Sequence, residues 1–360
     1  MSPSRQVESL IRPPFKRPTK TAATTRKHYF DQYKREWLTH SSILTMASLP
    51  THSARVSWNR SKLTGNVDFS PFGQKTKYLL TGAGINFKKC DQPLVLPRPD
   101  LEALGITYRR IPLLAVGKDV YCDSSRMIDL ALSKLSQSGG PLVTSPADKA
   151  YEDWGIDTFK LAVFIIPQAA ITPGFLNDRK TIFPMLERPD FASLRPSSLA
   201  AFRQRCKVVE DVYLANGGPF INGDKLGVAD IHVIFGIKWA LVDLGVGQEP
   251  GLGKQDLPKT WKLIESLPEI KPEVVSSEET IKTIKSANYS ADGPTSTMAN
   301  DPTGIKVGSA VTVESLDTVP GAHPQKGKLV GTSADEFVIE VGNDGVRVHF
   351  PWVGYILRSQ

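Results

Sequence analysis

The sequence predicts an α/β domain, then an all-α bundle, then a small antiparallel β module at the C-terminus. Helix and strand signals alternate in the first domain, helical patterns alone follow, and the apolar period changes to two near the end of the chain. The predicted segments are a disordered basic arm, the α/β domain, the α bundle, a linker and the β module. Their boundaries are 1–62, 63–138, 146–268, 269–303 and 304–360.

The basic arm accounts for the net positive charge of the chain. Residues 1–62 contain 12 Lys and Arg against 3 Asp and Glu, a net charge of +9, so the rest of a chain of formal charge +7 carries −2. The arm is polar and has few periodic apolar positions, which predicts disorder. Its few acids and many Arg, Ser and Thr also suit a mitochondrial import signal, although we favour an uninformative tail. Because the basic charge does not lie on the folded core, we expect no nucleic-acid partner.

The α/β domain is predicted from alternating helix and strand signals. Ser70 and Pro71 suit the N-cap and the first position of one helix, and Asp123 or Ser124 caps a second. A first strand is expected at 63–69, where turn-forming residues interrupt the apolar pattern. The other strands are predicted at 85–87, 111–116 and 120–122.

The α bundle shows no strand-like alternation, and the β module shows no helical period. Helices are predicted at 151–170, 194–214 and 226–244, with a shorter one around Trp261. The third of these segments is apolar almost all round, as expected of a helix in the centre of a bundle. The linker is expected to hold one helix.

The β module is predicted from four short segments that alternate or run as strands. The run Asn-Asp-Gly at 343–345 is typical of a hairpin turn, which indicates antiparallel pairing and is compatible with a small barrel. The strand segments are 310–313, 328–330, 337–340 and 346–350.

Cysteine and histidine spacing argues against disulfides and metal. Cys90, Cys122 and Cys206 form no C-x-x-C pair, and the six histidines show no H-x-x-x-H spacing. No apolar run approaches the roughly 18 residues of a membrane-spanning helix. We therefore expect a cytoplasmic protein with no metal and no membrane partner.

Three positions in the α/β domain can form one binding site. Ser70 stands at a helix N-terminus, which favours an anion such as a thiolate, and its hydroxyl can donate a hydrogen bond to that thiolate. A cis peptide bond before Pro112 would expose the backbone of Ile111 to a peptide-like ligand. Asp123 and Ser124, at another helix start, can hold the ammonium and carboxylate groups of an amino acid. Taken singly, both helix starts are better explained by plain N-caps.

Together these positions resemble the N-terminal domain of glutathione transferases of the class with Ser or Cys at the catalytic position. Two segments of the α/β domain, 97–101 and 108–112, look like the corresponding segments of a fungal branch of these proteins. In the helical half, 220–231 resembles the capping segment of the family. The runs that carry the resemblance are Ser-Pro-Phe-Gly-Gln-Lys at 70–75, Arg-Arg-Ile-Pro-Leu-Leu at 109–114 and Asp-Val-Tyr-Cys-Asp-Ser at 119–124.

The resemblance implies a thioredoxin-like domain that binds glutathione as a co-substrate. Ser70 would hydrogen-bond and activate the glutathione sulfur. Ile111 would pair through its backbone with the cysteinyl part, across cis Pro112. Asp123 and Ser124 would hold the γ-glutamyl end.

The resemblance also implies roles for the helical domain. The electrophile would lie against it, near 151–170. Asp230 would accept backbone N–H bonds at the start of the core helix, where Gly227 stands in place of the family's Ser or Thr. Homodimerisation is a further family expectation.

Two functions from different classes follow. The leading hypothesis is conjugation or isomerisation of a small electrophile by Ser-activated glutathione thiolate. The alternative is a non-catalytic binding or scaffold protein with this fold, which the interrupted first strand, the β module and the basic arm favour. A glutaredoxin-like reductase is disfavoured, because it would prefer Cys at position 70 for a mixed disulfide.

Overall fold

The structure is a computed structural model that describes residues 43–47, 70–135, 142–289 and 293–360. In these residues the strands are β1 Ile43–Ala47, β2 Phe87–Asp91, β3 Leu113–Val116, β4 Asp119–Tyr121, β5 Glu273–Val274, β6 Ala310–Ser315, β7 Gln325–Thr332, β8 Glu336–Val341, β9 Val346–Pro351 and β10 Tyr355–Ser359. The α-helices are α1 Pro71–Gly82, α2 Pro99–Glu102, α3 Ser124–Leu130, α4 Asp148–Val163, α5 Pro173–Arg179, α6 Phe191–Val208, α7 Val228–Lys238, α8 Pro258–Ser266 and α9 Ser277–Ser286.

The predicted fold class is confirmed: an α/β thioredoxin-like domain precedes an all-α bundle and a C-terminal antiparallel β module. Strands β1 to β4 and helices α1 to α3 build the thioredoxin-like domain. Helices α1 and α3 bury one face of the sheet in a core that includes Leu79, Leu114 and Met127. Val228 and Ile231 of α7 join the same core, which fixes the bundle against this domain.

The first strand of the sheet is not where the sequence predicts it. Strand β1 lies at Ile43–Ala47, inside the segment 1–62 that is predicted to be disordered, so that prediction is wrong at 43–47. The predicted strand at 63–69 lies outside the described residues. Strand β1 lies between β2 and β3, antiparallel to β2 and parallel to β3. Its sequence, Ile-Leu-Thr-Met-Ala, suits a strand, but it is short and polar residues surround it.

The α bundle packs around α7, as the apolar pattern predicts. Ten of the residues of α7, from Val228 to Ile237, are buried. Helix α4 lies directly against it, because a Cβ atom at Gly155 would stand 1.9 Å from the carbonyl oxygen of His232. Only glycine allows this approach, so Gly155 fixes how closely α4 packs against α7 at the centre of the bundle.

The β module extends the thioredoxin-like sheet and is not a closed barrel. Strand β9 pairs in parallel with β4, with Val348 opposite Val120, and the strand order is β10-β6-β7-β8-β9-β4-β3-β1-β2-β5. Val120 and Leu113 share one buried core with Phe337 and Val348 of the module. The module therefore covers what would otherwise be an open edge of the sheet.

Two glycines mark the closest approach between the module and the thioredoxin-like domain. Gly105 and Gly342 both have positive φ angles, of 79° and 63°, and a Cβ atom at Gly105 would lie 2.5 Å from the backbone of Gly342. A larger residue at Gly105 would separate these backbones, so the docking of the module depends on it.

The segment 269–303, predicted as a linker with one helix, contributes one strand to the sheet and one helix to the core. Strand β5 pairs in parallel with β2, and Ile284 of α9 packs in the core that contains Leu101. None of the helices in the described residues is long and apolar enough to cross a membrane.

Candidate functional site

All five residues predicted to bind or activate the ligand line one cleft, with a volume of about 630 Å³. The thioredoxin-like domain forms one wall of the cleft, helices α4 and α5 form another, and loops of the β module contribute to its rim. The predicted residues in it are Ser70, Ile111, Pro112, Asp123 and Ser124.

Ser70 is the N-cap of α1. Its extended backbone turns the side chain over the helix end, where Oγ accepts a hydrogen bond from the amide of Gly73 at 3.1 Å. Pro71 follows at the first helical position, where no amide proton is needed. A hydroxyl that accepts one bond still carries its own proton, so a capping serine can also donate to an anion at the helix end. The cap and the predicted catalytic role are therefore compatible.

The peptide bond between Ile111 and Pro112 is cis. The two residues immediately precede β3 and line the cleft next to Ser70. This is the backbone arrangement that the sequence analysis requires for a peptide-like ligand.

Asp123 lies at the start of α3 in a conformation rare for a residue with a side chain, with φ of 69° and ψ of 137°. One carboxylate oxygen, Oδ1, caps the helix by accepting from the amide of Ser125 at 2.9 Å. The other, Oδ2, accepts from the hydroxyl of Tyr355 at 3.1 Å. A residue of the C-terminal β module thus holds a group that the sequence analysis assigns to glutathione binding.

Ser124 is held by a lysine buried beneath the cleft. The ammonium of Lys75 donates to Ser124 Oγ at 3.0 Å and lies 3.6 Å from Glu152. Lys75 is fully buried, and burial lowers the pKa of its ammonium, although the neighbouring carboxylates of Glu152 and Asp123 oppose the shift. Since the bond from Lys75 occupies a lone pair of Ser124 Oγ, the hydroxyl proton can point to a ligand carboxylate.

The helical domain supplies the apolar side of the cleft. Helix α4, where the electrophile is expected, contributes Ile156, Phe159 and Val163 to the lining. Phe72 of α1 packs edge-on against Phe159 with ring centroids 5.0 Å apart, so the two domains meet in an aromatic floor. Further apolar lining comes from Ile166, Phe175, Ile182, Phe183, Met185 and Trp239.

The cleft also contains a group of arginines that no sequence pattern predicts. Arg98, Arg109 and Arg179 line it and meet around Asp178, which the side chain of Arg109 contacts at 2.7 Å. Burial lowers the pKa of Arg98 to about 9, and repulsion from Arg179 and Arg109 adds to the shift. Arg98 and Arg109 lie in the runs 97–101 and 108–112 that carry the family resemblance, but no sequence pattern links these runs to Arg179.

Other reactive side chains do not form a second centre in the described residues. Cys90, Cys122 and Cys206 are buried free thiols, and burial raises the pKa of Cys122 and Cys206. No group of three or more His, Cys, Asp or Glu side chains in the described part of the chain is placed to hold a metal ion.

Comparisons with known proteins agree with the fold. Residues 66–139 match the N-terminal domain of glutathione S-transferases, and residues 162–272 match a domain of unknown function, DUF7962. No curated protein matches the chain. Among solved structures, a GST-like protein from Pseudomonas syringae has 22% identity and a TM-score of 0.57, over 89% of this chain and 100% of the other. That likeness shows a shared fold.

Two further structures are less similar. A glutathione transferase homologue from Sulfitobacter with bound glutathione has 14% identity and a TM-score of 0.37, over 66% of this chain and 97% of the other. A glutathione transferase from Phanerochaete chrysosporium has 15% identity and a TM-score of 0.39, over 62% and 98%. TM-scores this low indicate only a weak structural likeness over the whole chain. The sequence match shows an N-terminal domain of the glutathione S-transferase type at 66–139, and the structural likeness shows a glutathione-transferase-like fold.

Proposed function

We propose that the protein binds glutathione in the cleft and uses its thiolate to conjugate or isomerise a small electrophile. The observation that carries the proposal is the meeting of Ser70, the cis Ile111–Pro112 bond and the Asp123–Ser124 pair in one cleft with an apolar opposite wall. Each of these groups suits a different part of a γ-glutamyl tripeptide.

Ser70 would act on the sulfur. Its hydroxyl donates a hydrogen bond to the thiolate, and the free amides at the start of α1 add partial positive charge. Both effects lower the pKa of a bound thiol and raise the fraction present as thiolate at neutral pH. The backbone of Ile111 would hold the cysteinyl part, with Asp123 and Ser124 at the γ-glutamyl end.

The apolar wall would hold the electrophile beside the sulfur. Phe159 and Phe183 offer a dry surface that excludes water from the reacting atoms. The thiolate attacks the electrophilic carbon and forms a C–S bond. In conjugation a leaving group departs from that carbon with the electrons of its bond, whereas in isomerisation the C–S bond breaks again after the electrophile has rearranged and the thiolate is regenerated.

Retention on immobilised glutathione and a conjugation assay test the proposal. Ser70→Ala should remain bound to the resin but lose most turnover, and Asp123→Ala should lose retention. Ser276→Ala is the matched control, because Ser276 caps α9 by the same bond, from Glu279 N at 3.1 Å, and does not line the cleft. Each serine change removes one helix cap, at about 1 kcal/mol.

The alternative, a non-catalytic binding or scaffold protein, makes the opposite prediction. A folded wild-type protein that neither stays on the resin nor turns over an electrophile would establish it. Retention without turnover, unchanged in Ser70→Ala, would limit the protein to glutathione binding.

The proposal includes two further expectations, on cellular location and on oligomeric state. We place the protein in the cytoplasm, which the location of a full-length fluorescent fusion tests against mitochondrial import. We also expect a homodimer, which light scattering on the purified chain tests directly.

A further inference from the structure

The arginine cluster in the cleft carries more positive charge than the structure neutralises. Arg98 and Arg109 are 2% and 3% exposed, and the side chain of Arg179 is 12% exposed. The carboxylate of Asp178 is the one acidic group of the described residues within ion-pair distance of this cluster. Three guanidinium groups around one carboxylate leave two positive charges in a partly dry site.

Neighbouring charged groups do not remove this excess. Arg110 lies next in the chain, but it makes its own paired contact with Asp317, at 2.6 and 3.0 Å. His323 bonds to Thr181, and burial lowers its pKa, with Arg109 adding to the effect. It therefore adds no negative charge, and a neutral imidazole is the form that this environment favours.

The cluster also has unused hydrogen-bonding capacity. The Nε atom of Arg109 is buried and has no partner among the described residues. The Nε and Nη1 atoms of Arg98 donate hydrogen bonds to the backbone carbonyls of Pro93 and Arg109. Neither carbonyl neutralises the positive charge of the guanidinium. A buried cation without a counter-charge is costly, so an anion that enters the cleft gains from both charge and hydrogen bonding.

The position of Arg179 indicates which molecule brings that anion. Arg179 ends α5 in the helical domain and lies over the ring of Phe175, 5.5 Å from its centroid. The same segment supplies Ile182 and Phe183 to the apolar lining. Glutathione is expected on the thioredoxin-like wall, so a ligand whose body rests on this helical wall is the second substrate. Its anionic group would meet Arg179 on that wall and Arg98 and Arg109 of the thioredoxin-like domain, which line the same cleft.

We propose that the electrophile is an amphipathic carboxylate. Its apolar body lies against Phe175, Ile182 and Phe183, and its carboxylate binds the guanidinium groups of Arg98, Arg109 and Arg179. This assignment rests on the proposed function, because it takes the glutathione wall as given.

A matched pair of probes tests the charge requirement in the full-length protein. The probes are 4-phenylbutyrate and 4-phenylbutyramide, which differ in charge but hardly in shape, and calorimetry gives their dissociation constants. The acid should bind at least about tenfold more tightly than the amide, as expected for charge-assisted bonds in a partly dry site.

Two substitutions should move that ratio in opposite directions. Arg179→Gln should bring the acid-to-amide ratio close to one, and Asp178→Asn should raise it, because it removes the carboxylate that competes for the cluster. Arg188→Gln is the control: it removes an arginine that pairs with Asp190 on the surface and should leave the ratio unchanged. Circular dichroism checks that each variant is folded.

Equal binding of the two probes overturns the proposal. An unchanged ratio in folded Arg179→Gln also does so, and if that variant is unfolded, an unchanged ratio in Asp178→Asn decides against it. The measurement is repeated with saturating glutathione. Loss of the acid preference there shows that the arginines serve glutathione's own carboxylate, which overturns the assignment to the electrophile.

Resin retention separates a failure of this inference from a failure of the proposed function. Acid preference without glutathione retention means that the cleft is an anion site but that its ligand is not a glutathione acceptor. Retention on the resin without a preference for the acid leaves the glutathione proposal intact. It overturns only the inference that the electrophile carries a carboxylate.

Discussion

The hydroxyl of Tyr355 in the C-terminal β module donates to Oδ2 of Asp123 at 3.1 Å and lies 2.6 Å from the hydroxyl of Tyr108. Tyr108 and Tyr355 are both buried, and burial raises the pKa of each phenol, so both stay protonated at neutral pH. Asp123 therefore keeps a fixed donor behind it. The β module is part of the support of the candidate glutathione site.

Replacement of that donor should weaken glutathione binding. In Tyr355→Phe the carboxylate of Asp123 loses one of its two protein bonds and can turn away from the cleft. We expect KM for glutathione to rise by about threefold to tenfold and kcat to change less. A hydrogen bond to a charged group contributes about 1.5–3 kcal/mol, which is roughly tenfold to a hundredfold, and only part of this reaches the ligand because Tyr355 acts through Asp123. Initial-rate kinetics with glutathione varied gives both constants.

The matched control is Tyr289→Phe, in which the lost bond is to the carbonyl of Gly345. It removes one phenol hydroxyl at the edge of the module and away from the cleft, so KM should not change. If both substitutions raise KM equally, the effect belongs to the stability of the module and not to Asp123.

Much of the site could be predicted from the sequence because each element is defined by local chemistry. Ser70 is followed by a proline at the first helical position, and Asp123 precedes a helix, so both caps are visible as short patterns. The arginine cluster could not be found in this way. It joins Arg98 and Arg109 to Arg179 across two domains, and only the packing of α5 brings them together.

The contact between the β module and the thioredoxin-like domain could not be predicted from the sequence either. Period-two segments predict its strands, but nothing local to them indicates that Val348 pairs with Val120 of the first domain. The last strand, Tyr355–Ser359, was missed because two of its five residues are polar or charged, which weakens the apolar pattern. The assignment to a fungal branch stays a prediction.

The unexpected position of β1 can be tested by two truncations. A chain that begins at residue 50 lacks Ile43–Ala47, whereas one that begins at residue 40 keeps this strand. Loss of β1 leaves the facing backbone groups of β2 and β3 without partners, at about 1–3 kcal/mol for each buried group. We expect the shorter chain to be insoluble or to unfold at a much lower temperature.

The chain that begins at residue 40 is the control, because its truncation removes most of the same basic arm and keeps the strand. Equal melting temperatures and equal glutathione retention for the two chains would show that β1 contributes nothing to the sheet.

Lys75 should act on glutathione through Ser124. In Lys75→Met the hydroxyl of Ser124 loses its donor, at the position where the proposal places the γ-glutamyl end of glutathione. We expect KM for glutathione to rise about tenfold, with little change in the pH dependence of kcat, because the residue touches the binding pair and not the sulfur.

Lys149→Met is the control for the effect on Glu152. Lys149 lies 3.4 Å from that carboxylate but is exposed and does not contact Ser124. It should alter KM less than about twofold, as expected for a surface ion pair. If Lys75→Met leaves KM at the wild-type value while the protein stays folded, Ser124 does not depend on Lys75.

Stability should fall as the pH rises above about 6.5, because of a buried histidine between the module and the thioredoxin-like domain. His349 donates to Asp119 and to Glu336, each at 3.1 Å. Burial alone would lower the pKa of His349, but these bonds and the two negative charges outweigh it and raise the pKa. Arg126 also contacts Glu336, and the ring of Tyr121 stacks on the imidazole.

The sign follows from which state holds the proton. Above pH 6.5 the unfolded chain releases the His349 proton while the folded chain keeps it, so the stabilisation is complete below 6.5 and disappears as the pH passes the raised folded pKa. His232 behaves in the opposite way: burial, with Lys75 and Lys149 adding to it, lowers its pKa to about 2, so its effect appears only below pH 6.5.

His349→Asn should therefore flatten the alkaline side of the stability profile. One proton contributes a slope of at most about 1.4 kcal/mol per pH unit, and that is the change to look for in urea midpoints between pH 6.5 and 9. His232→Asn should leave this side as it is and flatten the acidic side. If the wild type and His349→Asn lose stability in parallel as the pH rises, His349 is not charged between Asp119 and Glu336.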